Sequence, residues 1–580
     1  MTWTNAAVAK SLREVAAALI LKKASVFQIR AYENAATSIE HSTSEIKDLR
    51  EEGKLGQVPG VGESIQAHLE ELFKIGKVKH WEDLKRGIPE ATFEFLDVPG
   101  VGPKTALKLA ELGAKDVGDL QDKLQSGLLV KKGLSEKIAD KVLGGLEGIK
   151  KTQSGRMLLP YAYTQAEKVL DYLKPNPDII HADVLGSLRR MVATVGDLDF
   201  AVASKKPKEV VEYIIRMPGV NEVLGKGESK VDVRLSSGLE LDFLIADPDS
   251  YGALLQHFTG SKSHNIHLRT LAEHKGLSLS EYGVKDVKTG KVVKTPTEEE
   301  FYRLLGMKMP PPEIREDTGE IEAAVKDTLP DLVGIEDIKG DFHLHDNFPI
   351  EPSHDLGSSS ITEIAEEGKK LGYEYIGISD HSPSISNHSS EQIIHLIQKH
   401  KEVIDKYNSS NNKSVRVLNL LEVDIQPDGS LSVPDEGLKL LDFAIASVHS
   451  QHSLPREEMT KRILKALENP YVKVLGHPTN RLINRRESSE ADWERIFKFA
   501  AENQKALEIN AYPDRLDLPD MLVRMAKAIG VKFVIDTDSH KASDMNQMKF
   551  GVAVAKRGWL TKNDIINSWS LTKVLEWIKI

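Results

Sequence analysis

The sequence predicts a multidomain α + α/β protein, with helical modules first, a mixed α/β segment in the middle and a closing run of strand–helix units. Three observations carry that expectation. A Val-Pro-Gly-Val-Gly turn occurs twice within helical periodicity, at Val58–Gly62 and again at Val98–Gly102. Gly186-Ser187 is followed by Gly196-Asp197-Leu198-Asp199 in strand-like sequence. From residue 340 onward, apolar runs end one after another in histidine or a carboxylate, with amphipathic helical stretches between them.

Length and composition set the bounds. A chain of 580 residues holds several domains. Cysteine is absent, which excludes disulfides, zinc fingers and thiol nucleophiles. The net charge of −10 excludes a generally basic coat for nucleic acid, so any DNA contact must be local. No apolar run is long enough for a membrane span, and Lys10, Arg13, Glu14 and Lys22 interrupt the N-terminal stretch, so a cytoplasmic protein is expected. Eleven of the 19 histidines lie between His343 and His540, and metal is the first explanation for such a cluster.

In the two glycine turns, a hairpin between helices leaves backbone N–H groups free at the start of the second helix. Together with the positive end of the helix dipole they make an anion site. Gly60, Gly62, Gly100 and Gly102 would let a DNA phosphate approach closely, and Lys104 adds a cation. Such a site grips backbone without reading bases. The turns resemble helix-hairpin-helix motifs, with a third, degenerate copy at Lys132–Ser135.

In the middle segment Asp197 and Asp199 alternate along a strand, so both point to one face. Asp242, in LELDFLIAD, lies on a later strand that can pair alongside. Three carboxylates can hold two Mg²⁺ (or Mn²⁺) ions for phosphoryl transfer. Gly186, Ser187 and Arg190 would serve a triphosphate.

Gly186-Ser187, Gly196–Asp199 and Phe258-Thr-Gly-Ser-Lys-Ser-His-Asn265 together resemble the nucleotidyltransferase palm and thumb of family X DNA polymerases. The resemblance runs from the N-terminus to about residue 316. It implies Asp197, Asp199 and Asp242 as the catalytic triad, with Asp232 a weaker candidate for the third place. It implies Gly186, Ser187, Arg190, Gly196, His257, Phe258, Gly260, Asn265 and Arg269 at the nucleotide and its template side. His257 stands where the family often has Tyr. Some relatives form a Schiff base from a lysine in the helix after the first turn. Here that position is His68, with Ser64 one turn earlier, so no lyase activity is expected by that route unless Lys74 or Lys77 substitutes. Tyr32 still matches the family.

In the last third, GDFHLH ends in His343 and His345, YEYIGISDH in Asp380 and His381, and VLNLLEVDI contains Glu422. DFAIASVH ends in His449, YVKVLGHP contains His477, and VKFVIDTDSH supplies Asp538 and His540. Ligands at the C-terminal ends of parallel strands converge only if the strands close into a barrel. Mixed imidazole and carboxylate donors suit Zn²⁺, Mn²⁺ or Fe²⁺, and metal-assisted phosphoester hydrolysis follows. His388, His395, His400 and His452 read as packed or surface residues. The pattern resembles the PHP (polymerase and histidinol phosphatase) domain, a distorted (β/α)7-type barrel. The resemblance implies up to three ions on His343, His345, Asp355, His381, Glu422, His449, His477, Asp538 and His540, with Glu422 bridging. His354 or Asp346 competes with Asp355, and Arg481 and Arg515 are candidates for phosphate.

The expected division is 1–92, a helical domain with the first hairpin; 93–150, a fingers-like helical subdomain with the second; 151–246, the palm; 247–316, a thumb-like subdomain; 317–338, an acidic linker; and 339–580, the PHP domain. The whole resembles a prokaryotic family X polymerase fused to a PHP phosphoesterase. That resemblance implies a monomeric repair enzyme that acts on gapped or nicked DNA with dNTPs, carries a 3′–5′ exonuclease, and has room for 3′-phosphatase or abasic-site endonuclease activity.

Overall fold

The computed structural model describes all residues except 1, 2, 4, 41–45, 52, 59, 99, 100, 136, 137, 140, 141, 144–155, 351–355, 411–414 and 580. Gly100, His354 and Asp355 therefore lie outside the described residues, as does most of the proposed third hairpin's continuation.

The N-terminal helices Asn5–Leu21, Val26–Glu40 and Glu63–Ile75 enclose a core of Val8, Leu12, Val15, Ile39, Leu69 and Trp81. A second small core gathers Phe95, Leu109 and Leu120 around the helices Pro103–Glu111 and Val117–Gln125. Gly62 and Gly102 are the N-cap residues of Glu63–Ile75 and Pro103–Glu111. Gly60 needs to be glycine twice over. Its φ is +75°, and a Cβ there would meet the backbone of Asn34 and Ala35 at 3.1 Å.

The middle segment forms a five-stranded sheet in the order His181–Val184, Leu198–Ala203, Glu240–Ala246, Lys230–Leu235 and Val220–Lys226. Leu198–Ala203 and Glu240–Ala246 run parallel, and the other pairs are antiparallel. Phe200 and Phe243, paired across the two parallel strands, stack at 5.0 Å within the core. Next comes a helical piece with a three-stranded sheet, whose core joins Ala253, Leu268, Phe301 and Tyr302.

The acidic stretch expected to be a linker is packed. It carries the helix Glu320–Val325, whose Ile321 and Ala324 enter the same core as Phe301. Its acidity is partly internal wiring: buried Glu320 accepts from the N–H groups of Asp317 and Thr318 and pairs with His264 Nδ1 at 2.6 Å.

The last third is a seven-stranded all-parallel sheet in sequential order, Gly340–Leu344, Tyr375–Ile378, Arg416–Asp424, Phe443–Ser447, Val472–Leu475, Ala506–Asn510 and Lys532–Asp536. Nearly every residue on these strands is buried, as befits parallel strands covered by helices. The ends meet: Leu344 bridges Ser539, and His345 N–H donates to Ser539 O at 2.9 Å. This is the nearly closed barrel that the alternating strand–helix pattern predicts. Among the described residues no helix is long and apolar enough to cross a membrane.

Candidate metal centres

Sheet register builds the first centre. Asp199 lies directly opposite Asp242 across the parallel pair, and Asp242 lies opposite Asp232 across the antiparallel pair. Opposed residues share a face, so three carboxylates form a row, with exposed Asp197 just ahead of the strand. Asp232, the weaker candidate, is thus an immediate neighbour of Asp242, and Lys230 pairs with it at 3.2 Å. The crowding shows in the acidities. Burial, then Asp242 and Asp197, push Asp199 up to about 6. Asp242 is raised by burial and by Asp232. Carboxylates so held call for a cation, and an all-oxygen donor set suits Mg²⁺ or Mn²⁺.

Gly186 lies against this row. Its φ is +58°, and a Cβ would come within 3.0 Å of Asp199 Oδ2. Ser187 follows it in the short helix Gly186–Arg189. Arg190 donates to Glu316 Oε1 at 3.0 Å and to Thr259 O. Arg189 reaches Thr259 Oγ1 at 2.6 Å and pairs with buried Glu298. These contacts tie the Gly-Ser turn to His257-Phe258-Thr259-Gly260. His257 is half-buried, Phe258 and Arg269 are exposed, and Gly260 has φ +72°. Asn265 is oriented by Gln256 Nε2, which donates to its Oδ1, and by its own Nδ2, which donates to His257 O, both at 2.8 Å. Gly196 is approached by Arg156, which is anchored on Thr194.

The second centre lies at the C-terminal mouth of the barrel. Glu422, 1% exposed, is its hub. Its oxygens lie 2.8 Å from His381 Nδ1, 2.8 Å from His477 Nε2, 3.1 Å from His449 Nε2 and 3.5 Å from His343 Nε2. His345 Nε2 is 3.2 Å from Asp538 Oδ1, and the His345 and His540 rings stack at 4.1 Å. Three overlapping groups have ligand atoms within metal-binding reach of one another: His343, His345 and Asp538; His345, His381 and His540; and His381, Glu422 and His449. Eight of the nine residues named from sequence thus meet; the ninth, Asp355, is outside the described residues.

The electrostatics suit cation binding. Burial opposes charge on Glu422, but His449, His343 and His381 overcome it and hold the carboxylate well below its usual range. Burial, reinforced by His540, pushes His345 down to about 3, so its imidazole is neutral and available as a donor. His343 Nε2 is buried and has no hydrogen-bond partner among the described residues.

Sequence reasoning missed the groups that aim these ligands. Glu508 holds His343 Nδ1 at 2.6 Å and accepts from His477 N–H. Asp424 holds His449 Nδ1 at 2.5 Å, and Asn510 donates to Asp538 Oδ2 at 3.1 Å. Glu508 and Asn510 close the sixth strand, ALEIN, with the strand-end signal read on the others. Of the two arginines, Arg515 stands 3.8 Å from Asp538, and its Nη1 lacks a hydrogen-bond partner among the described residues. Arg481 instead donates to the carbonyls of Arg515 and Leu516 and braces that loop.

At the first glycine hairpin a cleft of about 700 Å³ is lined by Asn34, Gly60, Gly62 and Ser64 among others. His68 lies one turn further along, bonded to Tyr32 Oη at 3.0 Å and stacked on His80 at 5.1 Å. Lys104 sits exposed in the first turn of Pro103–Glu111.

Comparison with known proteins agrees with this layout. Four family models match: a helix-hairpin-helix domain over residues 3–78, a SAM-like helix-hairpin-helix tandem over 93–147, the DNA polymerase beta thumb over 254–316 and the PHP domain over 341–512. The chain is 36% identical over 580 residues to the DNA polymerase/3′-5′ exonuclease PolX of Bacillus subtilis (strain 168), covering 99% of each. It is 29% identical over 231 residues to a protein of Thermoanaerobacter sp. (strain X514) described as a "Probable phosphatase", covering 38% of this chain and 88% of that one. A third relative, from Acetivibrio thermocellus and also described as a "Probable phosphatase", is 30% identical over 192 residues, 31% of this chain and 73% of its own.

Proposed function

The chain belongs to the PolX family of DNA polymerases with a 3′–5′ exonuclease, and from that premise we propose that its two centres divide one task, the first extending a primer end and the second trimming it. The observation that carries the reading is that one chain holds both an in-register carboxylate row and a Glu422 met by four histidines.

In the first centre Asp197, Asp199 and Asp242 would hold two Mg²⁺ or Mn²⁺ ions. In the second, His343, His345, Asp355, His381, Glu422, His449, His477, Asp538 and His540 would hold up to three Mn²⁺, Zn²⁺ or Fe²⁺ ions. When bound, these ions neutralise phosphate charge and activate the attacking oxygen. The rest is the work of side chains. The turn Gly186-Ser187 and the Gly196 backbone offer N–H and hydroxyl donors to the triphosphate of an incoming dNTP. Arg190 exchanges Glu316 for phosphate oxygens when the nucleotide arrives. Asn265, its amide fixed by Gln256 and the His257 carbonyl, reaches the base edge. His257 and Phe258 lie along the sugar, and Arg269 lies toward the template. Gly60, Gly62, Gly100, Gly102 and Lys104 grip the DNA backbone without sequence preference. In the barrel mouth, Arg515 offers its free N–H group to the scissile phosphate.

Substrate gaps and nicks follow from the pairing of the activities: a damaged 3′ terminus is cleaned at one centre and refilled at the other, by a monomer acting in repair. With imidazole rather than amine at His68, no Schiff base forms there.

The test is primer extension and degradation on one-nucleotide-gapped DNA, with Mg²⁺ and Mn²⁺ compared. Asp197→Ala should lose extension and keep degradation, and His343→Ala should do the reverse. Extension that survives Asp197→Ala defeats the assignment of the first centre, and degradation that survives His343→Ala defeats that of the second.

A further inference from the structure

Beside the barrel's main centre lies a second pocket of ligand-type side chains. Asp346, Asp380 and His400 are 1%, 3% and 0% exposed, and their ligand atoms lie within 4.8 Å of one another. Asp346 follows the histidine pair of the first strand and competes, in sequence terms, for the ninth ligand position. The structure turns it toward His400 instead. Asp380 presents its two oxygens to different neighbours: Oδ1 accepts from Asp346 N–H at 2.9 Å and is 4.0 Å from His345 Nδ1, while Oδ2 is 3.2 Å from His400 Nε2. Asp346 Oδ2 is 3.9 Å from the same nitrogen.

His400 is out of place as a packing residue. It occupies the buried stripe of the helix Ser390–Ser409, where the other buried positions are Ile393, Ile397 and Ile404. A histidine buried for its shape alone would find partners for its ring nitrogens, because leaving a buried polar atom without a hydrogen bond forfeits the water it gave up. Neither nitrogen of His400, nor Oδ2 of Asp380, makes a hydrogen bond to a described residue. Asp380 Oδ1 and Asp346 Oδ1 accept from the N–H groups of Asp346 and Phe348, but an imidazole with two unpartnered nitrogens beside an unpartnered carboxylate oxygen is costly unless a cation joins them. The spacing suits one: a tetrahedral ion with donors at about 2.0–2.2 Å has donor–donor edges of roughly 3.3–3.6 Å, between the 3.2 and 3.9 Å found here.

We propose that Asp346, Asp380 and His400 form a further divalent-cation site, separate from the main centre and suited by its nitrogen and carboxylate donors to Zn²⁺ or a similar ion. Its role is positioning. An ion there clamps the loop after His345 and the loop before His381 onto the helix Ser390–Ser409, and so fixes two ligands of the neighbouring centre. The inference does not depend on the proposed activities.

The experiment uses the full chain loaded with Zn²⁺. Anomalous diffraction at the zinc edge should show a peak between Asp346, Asp380 and His400 in addition to those around Glu422. Elemental analysis should show about one Zn²⁺ fewer per chain in His400→Leu, a change that completes the apolar stripe and leaves every ligand of the main centre in place. Absence of the peak in the wild-type protein overturns the proposal whatever the main centre holds and whether or not the variant folds. Equal zinc content in wild type and a folded His400→Leu overturns it as well. A peak here with none around Glu422 would uphold this site and defeat the assignment of the main centre.

Discussion

Asp199 gives the first centre a pH signature that can be worked from the structure. Its carboxyl is pushed up to about 6 by burial, then by Asp242 and Asp197, with Lys230 opposing and Asp232 adding a little. A cation competes with the proton for this group. At pH 7.5 a carboxyl titrating at about 6 is about 97% ionised, and at pH 5 about 9%, so the apparent affinity for Mn²⁺ should fall roughly tenfold over that interval from this residue alone. An ordinary aspartate titrating at about 3.8 would lose less than about a tenth. The folded acidity is raised above that of the unfolded chain, so Asp199 contributes stability that is complete below about pH 4 and lost as pH rises through about 6. Moving from 3.8 to about 6 is worth about 3 kcal/mol, the order of strain that the metal-free site carries at neutral pH and a cation relieves. Free Mn²⁺ measured by electron paramagnetic resonance, with the barrel centre already filled by Zn²⁺, reads the affinity directly. Asp199→Asn should bind weakly, with a shallower pH dependence between 7.5 and 5 than the wild type, because Asp242 is still raised by burial and by Asp232. A wild-type affinity that stays flat across that range and falls only below pH 4.5 would refute the crowded-carboxylate argument.

Other outcomes follow from single contacts. Gly186→Ala places a methyl group 3.0 Å from Asp199 Oδ2 at a φ of +58°. It should cost about 1–3 kcal/mol in local strain and slow primer extension, with degradation by the same preparation unchanged. Glu508→Gln weakens the bond that aims His343. Metal affinity of the barrel should drop about 10–100-fold, with exonuclease activity recovered by excess Mn²⁺ and extension untouched. Lys104→Ala should lower the slope of log affinity against log salt for gapped DNA by about one, equally for any sequence.

What the sequence revealed, and what it did not, follows from where each interaction is encoded. Asp197 and Asp199 are legible because a strand alternates its faces, and the barrel histidines because each ends its own apolar run. That Asp232 neighbours Asp242 is not legible in the sequence, because it depends on an antiparallel register between strands that no local pattern specifies. Glu508, Asp424 and Asn510 act on ligands far away in the chain, and only the closed barrel brings Glu508 to His343. The segment 317–338 reads as a linker because it is acidic. Yet Glu320 spends its charge on backbone N–H groups and on His264, and Ile321 and Ala324 are core residues. His400 reads as an ordinary packed histidine until Asp346 and Asp380 are seen to face it.

The barrel also packs directly on the segment that carries the carboxylate row. The five-stranded sheet of the middle segment and the barrel share one apolar core, which includes Leu198 and Phe200 on one side and Ile378 and Ile535 on the other. Tyr163 meets Phe550 edge-on at 5.6 Å, with Lys549 Nζ 4.3 Å above the tyrosine ring. Arg557, its side chain 9% exposed, donates from Nη1 to Arg190 O and Glu316 Oε1, each at 3.0 Å, and pairs with Asp520. Glu316 is also the partner of Arg190, so the barrel braces the arginine assigned to the triphosphate. Ending the chain at residue 338 removes Arg557, with its bonds to Arg190 O and Glu316, and exposes the apolar core face, and both losses lower stability. His343→Ala, by contrast, removes one ligand and leaves that interface whole. The truncated chain should therefore melt at lower temperature and extend primers poorly, with the loss concentrated in the KM for dNTP, while His343→Ala extends them normally. If the truncated chain matched the full one in melting temperature and in KM, Arg557 and the shared core would be idle in polymerisation, and the two halves would be joined for their activities alone.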